Sequence, residues 1–391
     1  MRRREFIKGS AAAVAGAGLS FGQASASHDR PNVLMILVDQ MREPMWTPDG
    51  IMPNFDRLAQ SGVRFENSFC SAVMCSPSRA CLLTGTHTTQ NRMFGNCDFL
   101  TRATQPSLDP GIPTLGHVFG QAGYNTPYRG KWHLSHPRDR KEGLGHYGFE
   151  GWSARDPLTG KLADCGEGVG GGTCCGEMQD PIFARQTRDW LMDPKSQERP
   201  WFMVCSLVNP HDICTFPGHY SVYLPKAELK KNAPESCQCN GLKEGAVFDR
   251  VMDDLLPPNW TDDLSTKPAV QRRWQTYSDI IYGRIDTKNP EHWLRYLDYY
   301  VHCLRDMDKN LGVVLEALEH SGQLENTIVV FTSDHGEMAG SHGLRTKGYF
   351  AYEEEMKVPL LFSWPGVIPQ GRKAGGLATG VDLMPANCSK H

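Results

Sequence analysis

Four short apolar runs constrain this chain most, because each gives way abruptly to polar residues able to do chemistry. Val33 to Val38 is continuously apolar and stops at Asp39-Gln40. Trp201 to Val208 leads into Asn209-Pro210-His211-Asp212, and Thr327 to Thr332 into Ser333-Asp334-His335-Gly336. Val358 to Phe362 stops just before Trp364-Pro365-Gly366. A short run without polar alternation is expected of a strand covered on both faces. Helical patterns lie between the runs. The clearest places Leu294, Leu297, Val301, Leu304, Met307, Leu311, Val314 and Leu318 on one face and closes at Gly322. Strands alternating with helices predict an α/β fold, with a mainly parallel central sheet flanked by helices. Ligands of such sheets gather beyond the carboxyl ends of the strands. Three of the four runs deliver acid–base or metal-capable residues there.

The chain has 391 residues, 40% hydrophobic and 22% charged, enough for a sizeable core and incompatible with a disordered chain. Its 39 Gly and 26 Pro show no repeat. A net charge of −3 without a basic run argues against a nucleic-acid partner. No apolar stretch is long enough for a transmembrane helix. Arg2, Arg3 and Arg4 precede Phe6-Ile7-Lys8, then a mild apolar stretch from Ala11 to Phe21, then Ala24-Ser25-Ala26. That order resembles a twin-arginine export signal over residues 1–26. It implies a folded chain carried by the twin-arginine translocase to a periplasmic or extracellular location. Thirteen cysteines fit an oxidising compartment. Cys165, Cys174, Cys175, Cys237 and Cys239 read as stapled loops, with a zinc site the weaker alternative. Residues 27–391 form the expected catalytic domain. Within it, residues 212–290 lack a strong period and read as an insertion near the active face. Its aromatics Phe216, Tyr220, Tyr223, Trp260, Trp274, Tyr277 and Tyr282 suit either substrate stacking or surface packing.

Cys75-Ser76-Pro77-Ser78-Arg79 is followed by Leu83-Thr84-Gly85. This pattern resembles the type I, formylglycine-dependent sulfatases of the alkaline phosphatase superfamily. A second segment, Gly123 to His133, resembles another sulfatase signature through its Gly130-Lys131-Trp132-His133 ending, with Arg129 as a departure. The resemblance implies an alkaline-phosphatase-like fold. It also implies that Cys75 is oxidised to formylglycine by a formylglycine-generating enzyme, and that the aldehyde hydrate is the nucleophile. A geminal diol has a second hydroxyl, so the sulfated adduct can collapse to the aldehyde without further attack at sulfur. The Pro and the apolar run after Cys75 place it near a helix N-terminus, which favours an anion.

By the same resemblance, Asp39, Gln40, Asp334, His335 and the oxygen at residue 75 would hold one divalent cation. Ca²⁺ is the first expectation, with Mg²⁺ and Mn²⁺ open. Many relatives carry Asp at the place of Gln40 and some carry Asn at that of His335. The Asp-Gln with Asp-His combination resembles choline-sulfatase-like and phosphonate-monoester-hydrolase-like members. Lys131 would neutralise the sulfate, His133 would orient or deprotonate the nucleophile, and Arg79 would support residue 75. His211 or Lys347 would protonate the leaving group. The expected activity is hydrolysis of sulfate monoesters of a small molecule or carbohydrate. The alternatives are a phosphonate or phosphate-diester hydrolase of the same superfamily, or an inactive truncated homologue. The last arises because Val381 to Pro385 resembles the segment that in relatives leads into a small C-terminal subdomain, here expected to be missing.

Overall fold

Strand β1 (Asn32–Asp39) is buried along its whole length and sits in the middle of the sheet. The computed structural model describes residues 30–43, 47–97, 104–136, 139, 142–153, 158, 176–216, 251–252 and 255–384. Its other strands are β2 (Val63–Phe69), β3 (Tyr128–Gly130), β4 (Phe202–Pro210), β5 (Thr327–Ser333), β6 (Leu360–Ser363) and β7 (Arg372–Thr379). The sheet order is β3-β4-β1-β5-β6-β2-β7. β1 runs parallel to β4 on one side, with Leu34 opposite Met203, and to β5 on the other, with Leu34 opposite Val329. β3 is parallel to β4, and β2 to β7.

The two faces of β1 explain its unbroken apolar run. Leu34, Ile36 and Val38 enter one core layer with Phe55, Met203 and Phe331. Val33, Met35 and Leu37 enter the opposite layer with Leu83, Phe119, Tyr128 and Trp132. Successive side chains of a strand point to opposite faces, so burial on both sides requires every position to be apolar. The first layer is covered by helices α1 (Pro53–Gln60), α4 (Gly176–Met192) and α6 (Pro290–His320). The second contains α2 (Cys75–Thr84) and α3 (Leu115–Gln121). α6 is the helix its three-and-four spacing predicts. Asn289 caps its start by accepting from the Glu291 N–H at 3.0 Å, and Gly322, at φ 70°, follows its end.

The parallel reading holds for the sheet centre and breaks at β6, which is antiparallel to both neighbours. No long helix lies between β5 and β6. The segment instead folds back across the carboxyl edge and re-enters from the same side, which parallel pairing forbids. Strands β2 and β7 carry no apolar run, and so gave no signal in the sequence.

The described part of the 212–290 region includes helix α5 (Ala269–Tyr282). Its Trp274 stacks on Tyr277 with ring centroids 5.0 Å apart and meets Phe350 edge-on at 5.9 Å. Phe216 packs on Tyr296 at 5.6 Å. These aromatics therefore pack the segment behind Lys347. Cys70, Cys81 and Cys97 are buried free thiols. Residues 1–26, Tyr220, Tyr223, Cys165, Cys174, Cys175, Cys237, Cys239 and Cys388 lie outside the described residues, as does everything after residue 384. No described helix is long and apolar enough to cross a membrane.

Candidate active site

Cys75 is the first residue of α2, and all ten residues of that helix are buried. Its N-terminal N–H groups have no intrahelical partners, so positive partial charge faces the place where the thiol begins. Met74, at φ 78°, turns the chain sharply into the helix. Ser76, one position on, fixes the approach: its hydroxyl donates to the His133 carbonyl at 2.5 Å, and its N–H donates to Asn96 Oδ1 at 3.1 Å. The Cys75 sulfur marks where the side-chain oxygens of formylglycine would project. It lies 3.6 Å from Asp39 Oδ1 and 3.2 Å from His335 Nε2.

Arg79, one turn further along α2, joins the strand ends. Its Nε donates to Asp334 Oδ2 at 2.8 Å and Nη2 to Asp39 Oδ2 at 3.1 Å. Nη1 donates to the Lys131 carbonyl at 2.9 Å and to Ser206 Oγ at 2.8 Å. Four partners on four segments make this guanidinium the organiser of the site. Lys131 Nζ lies 2.5 Å from Asp39 Oδ2. Gly130 makes that placement possible. It has φ 101°, and a Cβ there would stand 1.9 Å from the Ser206 carbonyl oxygen, to which the Lys131 N–H bonds at 3.0 Å. Arg129, the departure from the resembled pattern, is accommodated: its guanidinium donates to the carbonyls of Tyr128 and Gly151 at 2.9 and 2.7 Å.

Asp39, Cys75, Asp334 and His335 bring one donor atom each to within 4.8 Å of one another, all of them buried. Two carboxylates, an imidazole and the position of a future oxygen form a donor set suited to a hard divalent cation. His335 is oriented for this, since its Nδ1–H donates to the Gly336 carbonyl at 2.9 Å and leaves Nε2 facing Cys75. Burial opposes ionisation of Asp39. Lys131, His211, Arg79 and His335 overcome that and hold it well below the usual carboxylate range. Asp334 is pushed upward, by burial first and then by the Asp39 charge. Burial lowers His335, but Asp334 and Cys75 outweigh it and raise the imidazole to about 9. Two crowded carboxylates and an imidazole suit a divalent cation, whose charge would balance both acids.

The opposite wall carries Lys347, which donates to Gln40 Oε1 and sits 3.4 Å from Cys214 Sγ. Gln40 Oε1 also accepts from the Cys214 thiol at 3.2 Å. The candidate metal-facing oxygen of Gln40 is thus turned toward Lys347. Behind it, Glu337 accepts from Gln40 Nε2 at 2.5 Å, Tyr296 OH at 2.7 Å, Thr346 N at 2.6 Å and Ala339 N at 3.1 Å. His211 follows β4, is 2% exposed, and keeps a buried Nδ1 with no hydrogen-bond partner among the described residues. Burial, then Lys131 and Lys347, hold it well below the usual histidine value.

The structure therefore gathers Asp39, Gln40, Cys75, Arg79, Lys131, Asp334, His335 and Lys347 through direct contacts. His211 is joined to them by the charges it feels, and His133 through its carbonyl on Ser76. Ser206, Cys214, Tyr296 and Glu337 also belong to the site but carried no motif. Glu337 alone had a local signal, an acid two residues beyond a strand-end Asp-His.

Comparison with known proteins gives the family and the fold. The Sulfatase family model matches residues 31–387. An uncharacterized sulfatase of Escherichia coli (strain K12) is 29% identical over 384 residues, covering 91% of this chain and 67% of that protein. An N-acetylglucosamine-6-O-sulfatase of Bacteroides thetaiotaomicron is 25% identical, with the same coverage. The chain thus spans about two thirds of the length of these relatives. Among solved structures, the phosphonate monoester hydrolase of Agrobacterium radiobacter superposes with a TM-score of 0.62 at 22% identity, covering 92% of this chain and 73% of that one.

Proposed function

Since the chain belongs to the sulfatase family of the alkaline phosphatase superfamily, we propose that it hydrolyses sulfate monoesters of carbohydrates with a formylglycine at position 75. One observation carries this reading. The Cys75 sulfur stands at a buried helix N-terminus, 3.2 Å from His335 Nε2 and 3.6 Å from Asp39 Oδ1, with Arg79, Lys131 and Lys347 around it.

Asp39, Asp334, His335 and the oxygen at residue 75 would hold one divalent cation, Ca²⁺ before Mg²⁺ or Mn²⁺, with Gln40 on the Lys347 side. That cation would polarise a sulfuryl oxygen and lower the pKa of the nucleophilic hydroxyl. Formylglycine would supply the hydrate whose second hydroxyl expels sulfate by collapse to the aldehyde. The chain's own residues do the rest. Lys131 and Lys347 bind the sulfate oxygens from two sides. His133, tied to the Cys75 segment through Ser76, takes the proton of the hydroxyl. Arg79 keeps both carboxylates and the Lys131 backbone in register. Lys347 or His211 would protonate the departing alkoxide; against the pull of burial, Cys214, Cys75, Asp39 and Asp334 keep the Lys347 ammonium charged, whereas burial and the two lysines hold the His211 imidazole neutral until it takes up a proton. Fixed charges already aimed at the developing anion need no reorganisation during reaction, which is usually the largest catalytic contribution.

Peptide mass spectrometry of residue 75 after coexpression with a formylglycine-generating enzyme tests the nucleophile. Conversion with turnover of a sulfate ester is expected, and an unmodified thiol in a chain that still turns over would overturn the mechanism. The likeness to a phosphonate monoester hydrolase favours one rival. Paired aryl sulfate and aryl phosphonate esters decide it, a dominant phosphonate rate displacing the sulfatase reading. Residues 1–26 support export through the twin-arginine translocase, checked by fractionating cells that carry Arg2→Lys, Arg3→Lys and Arg4→Lys together.

A further inference from the structure

We infer that Phe94 and Tyr349 form an aromatic subsite at the mouth of the active site that grips the sugar ring of the sulfate ester. This rests on the carbohydrate reading above and adds the residues that recognise the alcohol half.

Both side chains are anomalies of burial. Tyr349 is 61% exposed, whereas every other residue from Gly343 to Phe350 is buried. Phe94 is 59% exposed, while Asn91, Met93, Asn96 and Cys97 around it are buried. Leaving a large ring in water forgoes the stabilisation that burial would give, roughly 1.5–3 kcal/mol for a Phe-sized side chain. Two such rings stand on otherwise packed loops that also carry contacts of the site.

The loops meet each other at the rim. A Cβ built on Gly95 would lie 4.0 Å from the Tyr349 hydroxyl oxygen. Each loop is also tied to the chemistry. Asn96, two residues from Phe94, accepts the N–H of Ser76, and the Cys97 N–H donates to Ser76 Oγ at 3.0 Å. Tyr349 stands two residues from Lys347. Lys347 is 5% exposed, against 0–2% for Asp39, Cys75, Lys131, His133 and His211, so of these residues it lies nearest the surface.

The platform is rigid before anything binds. Gln105 Oε1 accepts from both Phe94 N at 2.9 Å and Gly95 N at 2.8 Å. Gly348 N donates to Glu355 Oε1 at 2.8 Å, and Phe350 is wedged against Trp274. Loops held in place lose little freedom on binding. A pyranose offers flat C–H faces that pack on aromatic rings and a polar edge that stays wet. Tyr349 matches this with an apolar body and a polar tip. A short aliphatic alcohol would leave both rings uncovered.

The test is calorimetric and needs no turnover. The full chain carrying Cys75→Ala is titrated with N-acetylglucosamine 6-sulfate and, separately, with inorganic sulfate. Phe94→Ala and Tyr349→Ala, each added to it, should weaken the saccharide about tenfold, the scale of a lost stacking contact, and leave inorganic sulfate unchanged. Phe94→Tyr and Tyr349→Phe should restore saccharide binding. Unchanged saccharide affinity in both alanine variants, or equal losses for saccharide and sulfate, overturns the inference, as does absence of saccharide binding by the parent. Binding that depends on the rings in a matured chain with no sulfatase activity would sink the proposed reaction and leave the subsite standing. Hydrolysis with ring-independent binding would do the reverse.

Discussion

Glu337→Gln is the substitution that asks most of this structure. The native carboxylate receives four donors. Tyr296 OH, Ala339 N and Thr346 N reach Oε1, and Gln40 Nε2 reaches Oε2. Only an acceptor-only group satisfies that arrangement. In the variant, the amide oxygen takes the three-donor place and the NH₂ faces Gln40 Nε2, donor against donor. Flipping the Gln40 amide relieves this clash but turns its NH₂ onto the Lys347 ammonium, which Gln40 Oε1 now accepts. Either way a hydrogen bond to a charged group is lost in a fully buried site, and a donor is left unpaired. The losses combine to about 2–4 kcal/mol. Urea unfolding at constant m reads the change directly. The variant should also bind inorganic sulfate more weakly, because Lys347 loses its anchor. Adding Gln40→Glu should recover most of the stability, since the carboxylate it introduces accepts from the amide at position 337, from Lys347 and from Cys214. A single variant within about 0.5 kcal/mol of the parent, the scatter of ordinary surface changes, or a double variant worse than either single, would refute the network.

Three further outcomes follow from the same geometry. Thr346 holds φ 59°, where a β-branched residue is strained; Thr346→Gly should raise stability by about 0.5–1 kcal/mol while lowering kcat, as the backbone beside Lys347 loosens. Burial, reinforced by Asp306 and Glu177, pushes Asp212 up to about 7 from 3.8, against two backbone N–H groups that favour its charge. The folded chain therefore keeps a proton that the unfolded chain has released. Stability should be greatest below the unfolded value, fall as pH rises toward about 7 and level off above it, and Asp212→Asn should flatten urea midpoints across that range. A divalent cation at a hundredfold excess over its Kd should raise stability by about 2.7 kcal/mol, seen as a thermal shift that EDTA reverses and Asp334→Asn abolishes.

What the sequence made legible is what local periodicity can carry. A strand apolar at every position must lie between two layers, so Asp39, His211, Asp334 and His335 could be placed at one sheet edge before any contact was known. Arg79 and Cys75 were readable through the motif Cys75-Ser76-Pro77-Ser78-Arg79 and the resemblance it carries. What stayed hidden depends on partners far apart in sequence. Gln40 meets Glu337, and Arg79 meets Asp334, across most of the chain; Ser206 has no neighbour that announces it, and Glu337 only its place two residues beyond Asp334-His335. The aromatics of the 212–290 region suited stacking or packing equally; Trp274 and Phe216 pack against other rings, Tyr277 is half-exposed on Trp274, and the two most exposed large rings among the described residues, Phe94 and Tyr349, lie elsewhere. Backbone strain also marks the site. Gln40, Met74, His133 and Thr346 are non-glycine residues at positive φ, and each is a site residue or precedes one. Gln40 needs its side chain for the bonds to Glu337 and Lys347, so glycine, the residue that would have flagged that turn, is absent there. The cost of these turns, about 1–3 kcal/mol each, is met by the hydrogen bonds that Arg79 and Glu337 collect. The chemistry at the strand ends is therefore inseparable from Arg79, whose motif could be read, and from Glu337, whose bonds only the fold reveals.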